Sequence, residues 1–215
     1  MNAAPASNDA NRPEADSHRS HFDRSGRWIP DGSWPFHRQA PGSLENVRRF
    51  MNTLNRESGA DLFATVVGYR DWLHGEGARG YARVTSRELG TAQRLRSLLH
   101  ELVVTNSSRV PVVNKNWLTL TGLAEPFGVG LTFETPALVA KGSGGERFLA
   151  ELLIAVFWAK ADGSWSCLKA CQNAHCRWVY FDQSKNQSAT WCADNACGGR
   201  TRARSYRARA AANSY

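Results

Sequence analysis

The chain has 215 residues, of which 42% are hydrophobic, enough to form one sizeable domain and a small additional module. Its 27 Lys and Arg outnumber its 19 Asp and Glu, which gives a formal net charge of +8 at pH 7 and favours an anionic partner. The sequence has neither a stretch of about 18 apolar residues, as a transmembrane helix needs, nor the basic start and apolar run of a secretion signal, so we expect a cytoplasmic protein that does not enter the membrane.

Residues 1–42 are rich in Pro, Ala, Asn, Asp, Ser and His, a composition typical of disordered chain. Aromatic side chains enter this segment at Trp28, Trp34 and Phe36, where it could dock on the folded part. The sequence therefore predicts a disordered or extended N-terminal arm.

Residues 43–163 show helical periodicity and predict a mainly helical domain. Ser43 is a candidate N-cap for the first helix. A second helix is predicted from Leu62 to Leu73, ending at Gly75, and the glycine-rich residues after it predict a loop. The apolar positions of the first helix are Leu44, Val47, Phe50, Met51 and Leu54.

A capping box of Thr85 and Glu88 predicts the start of a third helix. Residues 106–108 are expected to end it, and a short helical piece is predicted after Pro111. Three arginines are expected on its solvated face: Arg87, Arg94 and Arg96. Its predicted buried stripe consists of Leu89, Ala92, Leu95, Leu99, Leu102 and Val103.

Two short β-prone runs, Val129–Glu134 and Ala137–Lys141, predict a small hairpin. The strongest core helix is predicted at Gly145–Ala161, where Glu146 and Lys160 suit the two ends of the helix dipole. Its predicted apolar stripe consists of Phe148, Leu149, Leu152, Leu153, Val156 and Phe157.

Four cysteines form two matched pairs near the C-terminus. Cys171 and Cys176 enclose four residues, as do Cys192 and Cys197. Two such loops can bring four thiolates to the corners of a tetrahedron, and a zinc ion held by four thiolates has no open position for catalysis. We therefore predict one structural zinc, with two disulfides or an iron–sulfur cluster as alternatives. Cys167, which precedes the set, is predicted to be a buried free thiol.

The residues between the two cysteine pairs predict a β-hairpin. Residues 178–181 are β-prone, residues 184–186 are typical of a turn, and residues 188–191 can form the returning strand.

Five arginines follow the last cysteine within ten residues, with no acidic residue among them. The alanines between them favour a helix, on which Arg200, Arg204 and Arg207 share one face and Arg202 and Arg209 lie opposite. The helix has no apolar stripe, so we expect it to be exposed, and guanidinium groups bind phosphate well. The alternative is a solvated basic tail.

The pattern Cys-x4-Cys, then Trp-Cys-x4-Cys-Gly-x-Arg and an arginine-rich helix, resembles the CGNR zinc finger over residues 168 to about 210. The resemblance implies that one structural Zn²⁺ is held by Cys171, Cys176, Cys192 and Cys197. It also implies a DNA-binding, stress-linked transcription regulator. One position departs from the family pattern, because Gly199 stands where the family has Asn.

CGNR fingers usually follow an ABATE domain. Phe50-x-Asn52-Thr53 and Trp72-Leu73 resemble signatures of that domain, although Arg49 stands where the family commonly has an acid. Asn52 could line a ligand site, but we expect it to satisfy backbone groups, as buried amides usually do.

The predicted fold is α+β and mainly α. Residues 43–163 are predicted to form an ABATE-like helical domain with a small β-hairpin, which we expect to stay folded without zinc. Residues 164–215 are predicted to form a four-cysteine zinc-finger module, a β-hairpin followed by the basic helix, which is too small to fold without its metal.

No Ser-His-Asp set, His-Glu metal motif or paired carboxylates stand out, so we do not expect an enzyme. The sequence predicts a zinc-dependent transcription regulator whose main partner is double-stranded DNA and whose helical domain senses a small molecule or a partner. One alternative is an RNA-binding protein that stacks bases on Trp178, Tyr180 and Phe181. Another is a finger that binds protein. The oligomeric state is not specified by the sequence.

Overall fold

A computed structural model describes residues 38–78, 84–107 and 115–212. The first 37 residues of the predicted arm lie outside these ranges, as do residues 111–114 of the piece predicted after Pro111. The described ranges contain six helices and two small antiparallel hairpins, as the predicted fold class requires. No helix in the described ranges is both long and apolar enough to cross a membrane.

The first two helices are α1 (Leu44–Met51) and α2 (Val66–Gly75). Ser43 occupies the N-cap position of α1, but its hydroxyl makes no capping hydrogen bond there. Helix α2 begins four residues later than predicted, because the Thr65 hydroxyl caps it by accepting from the Gly68 amide at 3.1 Å. The residues before Thr65 form a turn in which the Asp61 carboxylate accepts from the Phe63 amide at 2.8 Å.

Helix α3 (Ser86–Ser107) begins at the predicted capping box. The Thr85 amide donates to the Glu88 carboxylate at 2.7 Å, and the Glu88 amide donates back to the Thr85 hydroxyl at 3.2 Å. The prediction that Arg96 is solvated is wrong, since its side chain is buried and its Nη2 lies 2.7 Å from Asp61 Oδ2. Helix α4 (Lys115–Ala124) follows.

The predicted hairpin after α4 is confirmed as β1 (Val129–Thr132) and β2 (Ala137–Ala140), which pair antiparallel. Helix α5 (Gly144–Ala161) is the predicted core helix. One residue of its predicted stripe is misplaced: Phe157 is 56% exposed, and the buried face runs instead through Ala155 and Ala159.

The second hairpin differs from the predicted one. A short 3₁₀ turn (Ser164–Cys167) leads into β3 (Leu168–Ala170), which pairs antiparallel with β4 (Val179–Phe181). The returning strand predicted at residues 188–191 is not formed, and those residues are irregular. The apolar residues before the first cysteine are fully buried, so they outcompete the polar segment at 188–191 as the partner of β4.

The described part of the chain closes with a π turn (Asp194–Gly198) that continues directly into α6 (Gly199–Ala212). Helices α1, α2, α3 and α5 enclose one apolar core, and Trp165, Leu168, Ala170 and Val179 are buried in that same core. The first part of the cysteine-containing segment is therefore packed directly on the helices.

Candidate metal centre and basic helix

The four paired cysteines meet at one point. Cys171 follows β3, Cys176 precedes β4, and Cys197 lies in the π turn that leads into α6. Their Sγ atoms all lie within 4.8 Å of one another, and Cys192 Sγ is 3.7 Å from both Cys176 Sγ and Cys197 Sγ. Zinc–sulfur bonds of about 2.3 Å in a regular tetrahedron place sulfurs about 3.8 Å apart. The four thiols therefore fit one zinc ion.

The geometry also excludes disulfides within the set. All four cysteines are free, and a disulfide would need sulfurs about 2.05 Å apart. Cys171, Cys192 and Cys197 are fully buried, whereas Cys176 is partly exposed. Cys167 lies outside the cluster and is partly exposed, so the prediction that it is buried is wrong.

Short backbone turns hold the thiols in place. The Cys171 amide donates to the Trp178 carbonyl at 2.9 Å, and the Cys176 amide donates to the Asn173 carbonyl at 2.9 Å. Close packing requires a glycine at position 198, because a Cβ there would lie 2.9 Å from the Trp191 ring. Backbone hydrogen bonds and close packing therefore both position the thiols.

Two side chains donate to the sulfur of Cys197. Asn173 Nδ2 lies 3.7 Å from it, and Arg200 Nη2 lies 3.5 Å from it. Hydrogen bonds from the other three thiols, with a further one from Arg200, lower the pKa of Cys197 and favour its thiolate. Asn173 is buried and was not predicted from the sequence, where the only signal was its place between the first two cysteines.

The five predicted arginines fall into two groups. Arg200 Nη1 forms an ion pair with Glu57 Oε1 at 2.6 Å, and Arg202 Nη2 donates to the Asp194 carbonyl at 3.1 Å. The other three, Arg204, Arg207 and Arg209, are exposed and have no hydrogen bond or ion pair with any residue in the described ranges. Tyr206 between them is 70% exposed.

Position 199, where the resemblance expects Asn, is open. A Cβ on Gly199 would have only the Asp194 carbonyl oxygen nearby, at 4.0 Å. The glycine is therefore not required by the space around its Cα, since a Cβ would meet no clash there.

The aromatic residues proposed to stack bases are largely covered by the fold. Trp178 and Tyr180 are buried, and the Tyr180 hydroxyl donates to the Ala189 carbonyl at 2.7 Å. Phe181 is half-buried against the helical core. The burial of Trp178 and Tyr180 therefore leaves only Phe181 partly accessible for the stacking alternative.

A seam of hydrogen bonds joins β3 and β4 to the helices. Asn52 Nδ2 donates to the Val179 carbonyl, and the Val179 amide donates to Asn52 Oδ1, both at 2.8 Å. Ser107 Oγ accepts from the Ala170 amide at 2.8 Å and donates to its carbonyl at 3.1 Å. The prediction that Asn52 satisfies backbone groups is thus confirmed.

His100 adds one more bond to the seam. Its Nε2 donates to the Arg177 carbonyl at 2.9 Å, which fixes the Nε2–H tautomer because a carbonyl only accepts. Burial lowers the pKa of His100 to about 4, so the ring is neutral at pH 7.

The sequence profile of the CGNR zinc finger matches residues 168–210. A comparison with curated proteins found no match. The matched segment, hereafter the finger, contains all four clustered cysteines and most of α6, and it leaves out the helical region, whose resemblance to an ABATE domain stays a prediction. In sequence, and in the meeting of its four thiols, the segment 168–210 is similar to a CGNR zinc finger.

Proposed function

We propose that the protein binds double-stranded DNA through α6 and regulates transcription, with the zinc ion holding α6 in its binding orientation and the helical region sensing a small molecule or partner. The observation that carries the proposal is that α6 is exposed along most of its length and attached to the metal centre at its start. Its three free arginines point into solvent, while its first turn is tied to the metal centre.

The exposure of α6 needs an explanation other than packing. From Arg202 to Ala211 every residue is exposed, so the helix buries no apolar surface that would stabilise it. Isolated helices of this length are marginal in water. A positively charged helix of this kind is stabilised by a polyanion, and phosphates along a duplex supply closely spaced negative charges.

The contacts divide differently from the sequence prediction. Arg200 was expected to contact phosphate from the same face as Arg204 and Arg207, but its guanidinium already pairs with Glu57 and Cys197. We therefore assign the contacts on that face of α6 to Arg204 and Arg207. Arg209 lies on the opposite face, about 140° or more away around the helix, and cannot reach the same backbone.

RNA binding by stacking has less support, because two of the three rings that would stack, Trp178 and Tyr180, are buried. Duplex DNA is the partner that an exposed row of arginines suits, since phosphate contacts need no unstacked bases.

The salt dependence of binding tests the proposal. Each phosphate contact contributes about −0.9 to the slope of log K against log salt on duplex DNA. Changing Arg204→Ala and Arg207→Ala together should flatten the slope by about 2 units and weaken binding to all duplex sequences alike.

A control variant removes two positive charges from a part of the surface outside α6. Arg70 and Arg147 are exposed arginines that pair with Asp71 and Glu151 on α2 and α5. The double variant Arg70→Ala/Arg147→Ala should keep the parental slope. If the α6 variant also keeps it, α6 does not contact phosphate, and tighter binding to single-stranded RNA at the same salt would favour the RNA alternative.

A further inference from the structure

The face of α6 that carries Arg200, Arg204 and Arg207 begins in contact with the helical region. Arg200 lies on the same face as Arg204 and Arg207, one and two turns before them. Its guanidinium forks onto the Glu57 carboxylate, with Nη1 at 2.6 Å and Nη2 at 3.4 Å. The face therefore starts against the turn between α1 and α2 and runs about 10 Å outward to Arg207.

That turn has a fixed shape. Asn55 Oδ1 accepts from the amides of Glu57 and Ser58 at 3.0 and 3.1 Å, and the Asn55 amide donates to the Ala60 carbonyl at 2.8 Å. Arg56, inside the turn, is exposed. Its position next to Glu57 places it beside the start of α6.

A second arginine, the half-buried Arg177, lies in the finger beside the first pair of cysteines. Arg177 directly follows Cys176 and adopts a left-handed backbone conformation, with φ of 52°. The Arg177 carbonyl accepts from His100 Nε2, and its amide donates to the Asn173 carbonyl at 3.1 Å, so its backbone is held from both sides. A non-glycine residue in this conformation costs of order 1–3 kcal/mol and persists only where its surroundings enforce it.

The turn that carries Arg56 and the backbone of Arg177 meet on one face of α3, because Arg96 binds Asp61 and His100, one helical turn further along, binds the Arg177 carbonyl. Partial desolvation lowers the pKa of Arg56, and the positive charges of Arg96 and Arg177 lower it further, while Glu101 opposes them. Arg96 is already paired with Asp61, and Glu57 with Arg200. Neither Arg56 nor Arg177 has an ion pair with any residue in the described ranges, and Glu101 also accepts a hydrogen bond from Asn116 Nδ2 at 3.4 Å.

Like charges that Glu101 offsets only in part destabilise the free protein, and a bound phosphate reduces that repulsion. We propose that the duplex-binding surface continues from Arg207 and Arg204 past the Arg200–Glu57 pair to Arg56 and Arg177, so that the helical region itself contacts the DNA backbone. This inference rests on the proposed function of α6, which it extends to a second pair of phosphate contacts.

The slope of salt dependence separates this inference from the function it rests on. The variant Arg56→Gln/Arg177→Gln, with α6 intact, should flatten the slope on duplex DNA by about 2 units. The variant Arg70→Gln/Arg147→Gln, which removes two charges outside the surface, should keep the parental slope. An unchanged slope in the first variant, together with a flattened slope in Arg204→Ala/Arg207→Ala, would overturn the inference and leave the function of α6 standing. If neither flattens, both fail.

A measurement on the unmodified chain avoids any effect of the substitutions on folding. Arginines of the zinc-loaded protein can be modified with phenylglyoxal, with and without a saturating duplex, and located by mass spectrometry. Arg56, Arg177, Arg204 and Arg207 should be protected by the duplex, and Arg70 and Arg147 should not. Equal modification of Arg56 and Arg177 in the two samples would overturn the inference.

Discussion

At the scale of single residues, Arg200 differs from its predicted role. The sequence assigns it to phosphate binding, and the structure places it at the metal centre. Its guanidinium bridges Glu57 and the sulfur of Cys197. Groups that hydrogen-bond to a metal ligand orient it, and removing them typically weakens metal binding by about 10- to 100-fold. We therefore expect Arg200→Ala to weaken zinc binding by that factor, measured by competition with a chelator of known affinity. Arg204→Ala, one turn along the same face, should bind zinc as the parent does, and equal affinities in the two variants would contradict the assignment.

His100 gives the folded state a pH dependence. Its pKa is about 4 in the fold and about 6.5 in the unfolded chain, so below pH 6.5 the unfolded chain binds a proton that the fold does not. Stability is therefore complete above pH 6.5 and is lost as the pH falls toward 4. Between pH 7 and pH 5 we expect a loss of about 2 kcal/mol in the free energy of unfolding from this group alone.

The variant His100→Gln isolates that contribution. Its amide can donate the same hydrogen bond to Arg177 and does not titrate, while the cysteines titrate alike in both proteins. Urea unfolding at the two pH values should show a smaller loss in the variant by about 2 kcal/mol. Equal losses would mean that His100 is protonated in the fold.

Asn52 and Arg96 show which side-chain roles can be predicted from the sequence and which cannot. Asn52 is an amide at an apolar helix end, so its role in satisfying backbone groups could be predicted, but its partner Val179 is 127 positions away and could not. Arg96 is a charged residue, which predicts solvation, although it lies about 160° around the helix from Arg94, on the side of the buried stripe. Its burial depends on Asp61, 35 positions earlier, and on the Phe63 ring beneath its guanidinium.

At the scale of elements, helices α3 and α5 could be predicted from local sequence signals, whereas the strand that pairs with β4 could not. The capping box of Thr85 and Glu88 and the apolar spacing of α5 are encoded within a few residues, and both helices form as predicted. The partner of β4 depends on which segment the helices bury. Leu168 and Ala170 are buried, and α3 holds them through Asn106 and Ser107 respectively. No periodicity within the finger carries that information.

A substitution at Asn52 tests how much the seam between the helices and the finger contributes to stability. Asn52→Ala leaves the buried Val179 amide without an acceptor, and an unsatisfied buried group costs about 1–3 kcal/mol. We expect a loss of about 2–3 kcal/mol in urea unfolding of the zinc-loaded protein. Asn46→Ala, an exposed site on α1, should stay within about 0.5 kcal/mol of the parent. A loss of that small size in Asn52→Ala would show that the seam contributes little.

At the scale of the whole molecule, the finger and the helical region share a core. Trp165, Leu168 and Val179 belong to the apolar cluster of the helices, while Trp178 and Tyr180 pack with the cysteines. The division of the chain at residue 163 stays a prediction, and this packing means that zinc and the helical region stabilise β3 and β4 together. A ligand that moved α1 or α3 would therefore act directly on the finger.

The central claim is that zinc positions a basic helix for duplex DNA. The most direct measurement is a fluorescence anisotropy titration of one labelled duplex with zinc-loaded and zinc-stripped full-length protein at matched salt. Zinc-loaded protein should bind more tightly and with a steeper salt slope, because Arg204 and Arg207 then act from one fixed helix with Arg200 anchored at Cys197. Equal affinity and equal slope with and without zinc would contradict the account.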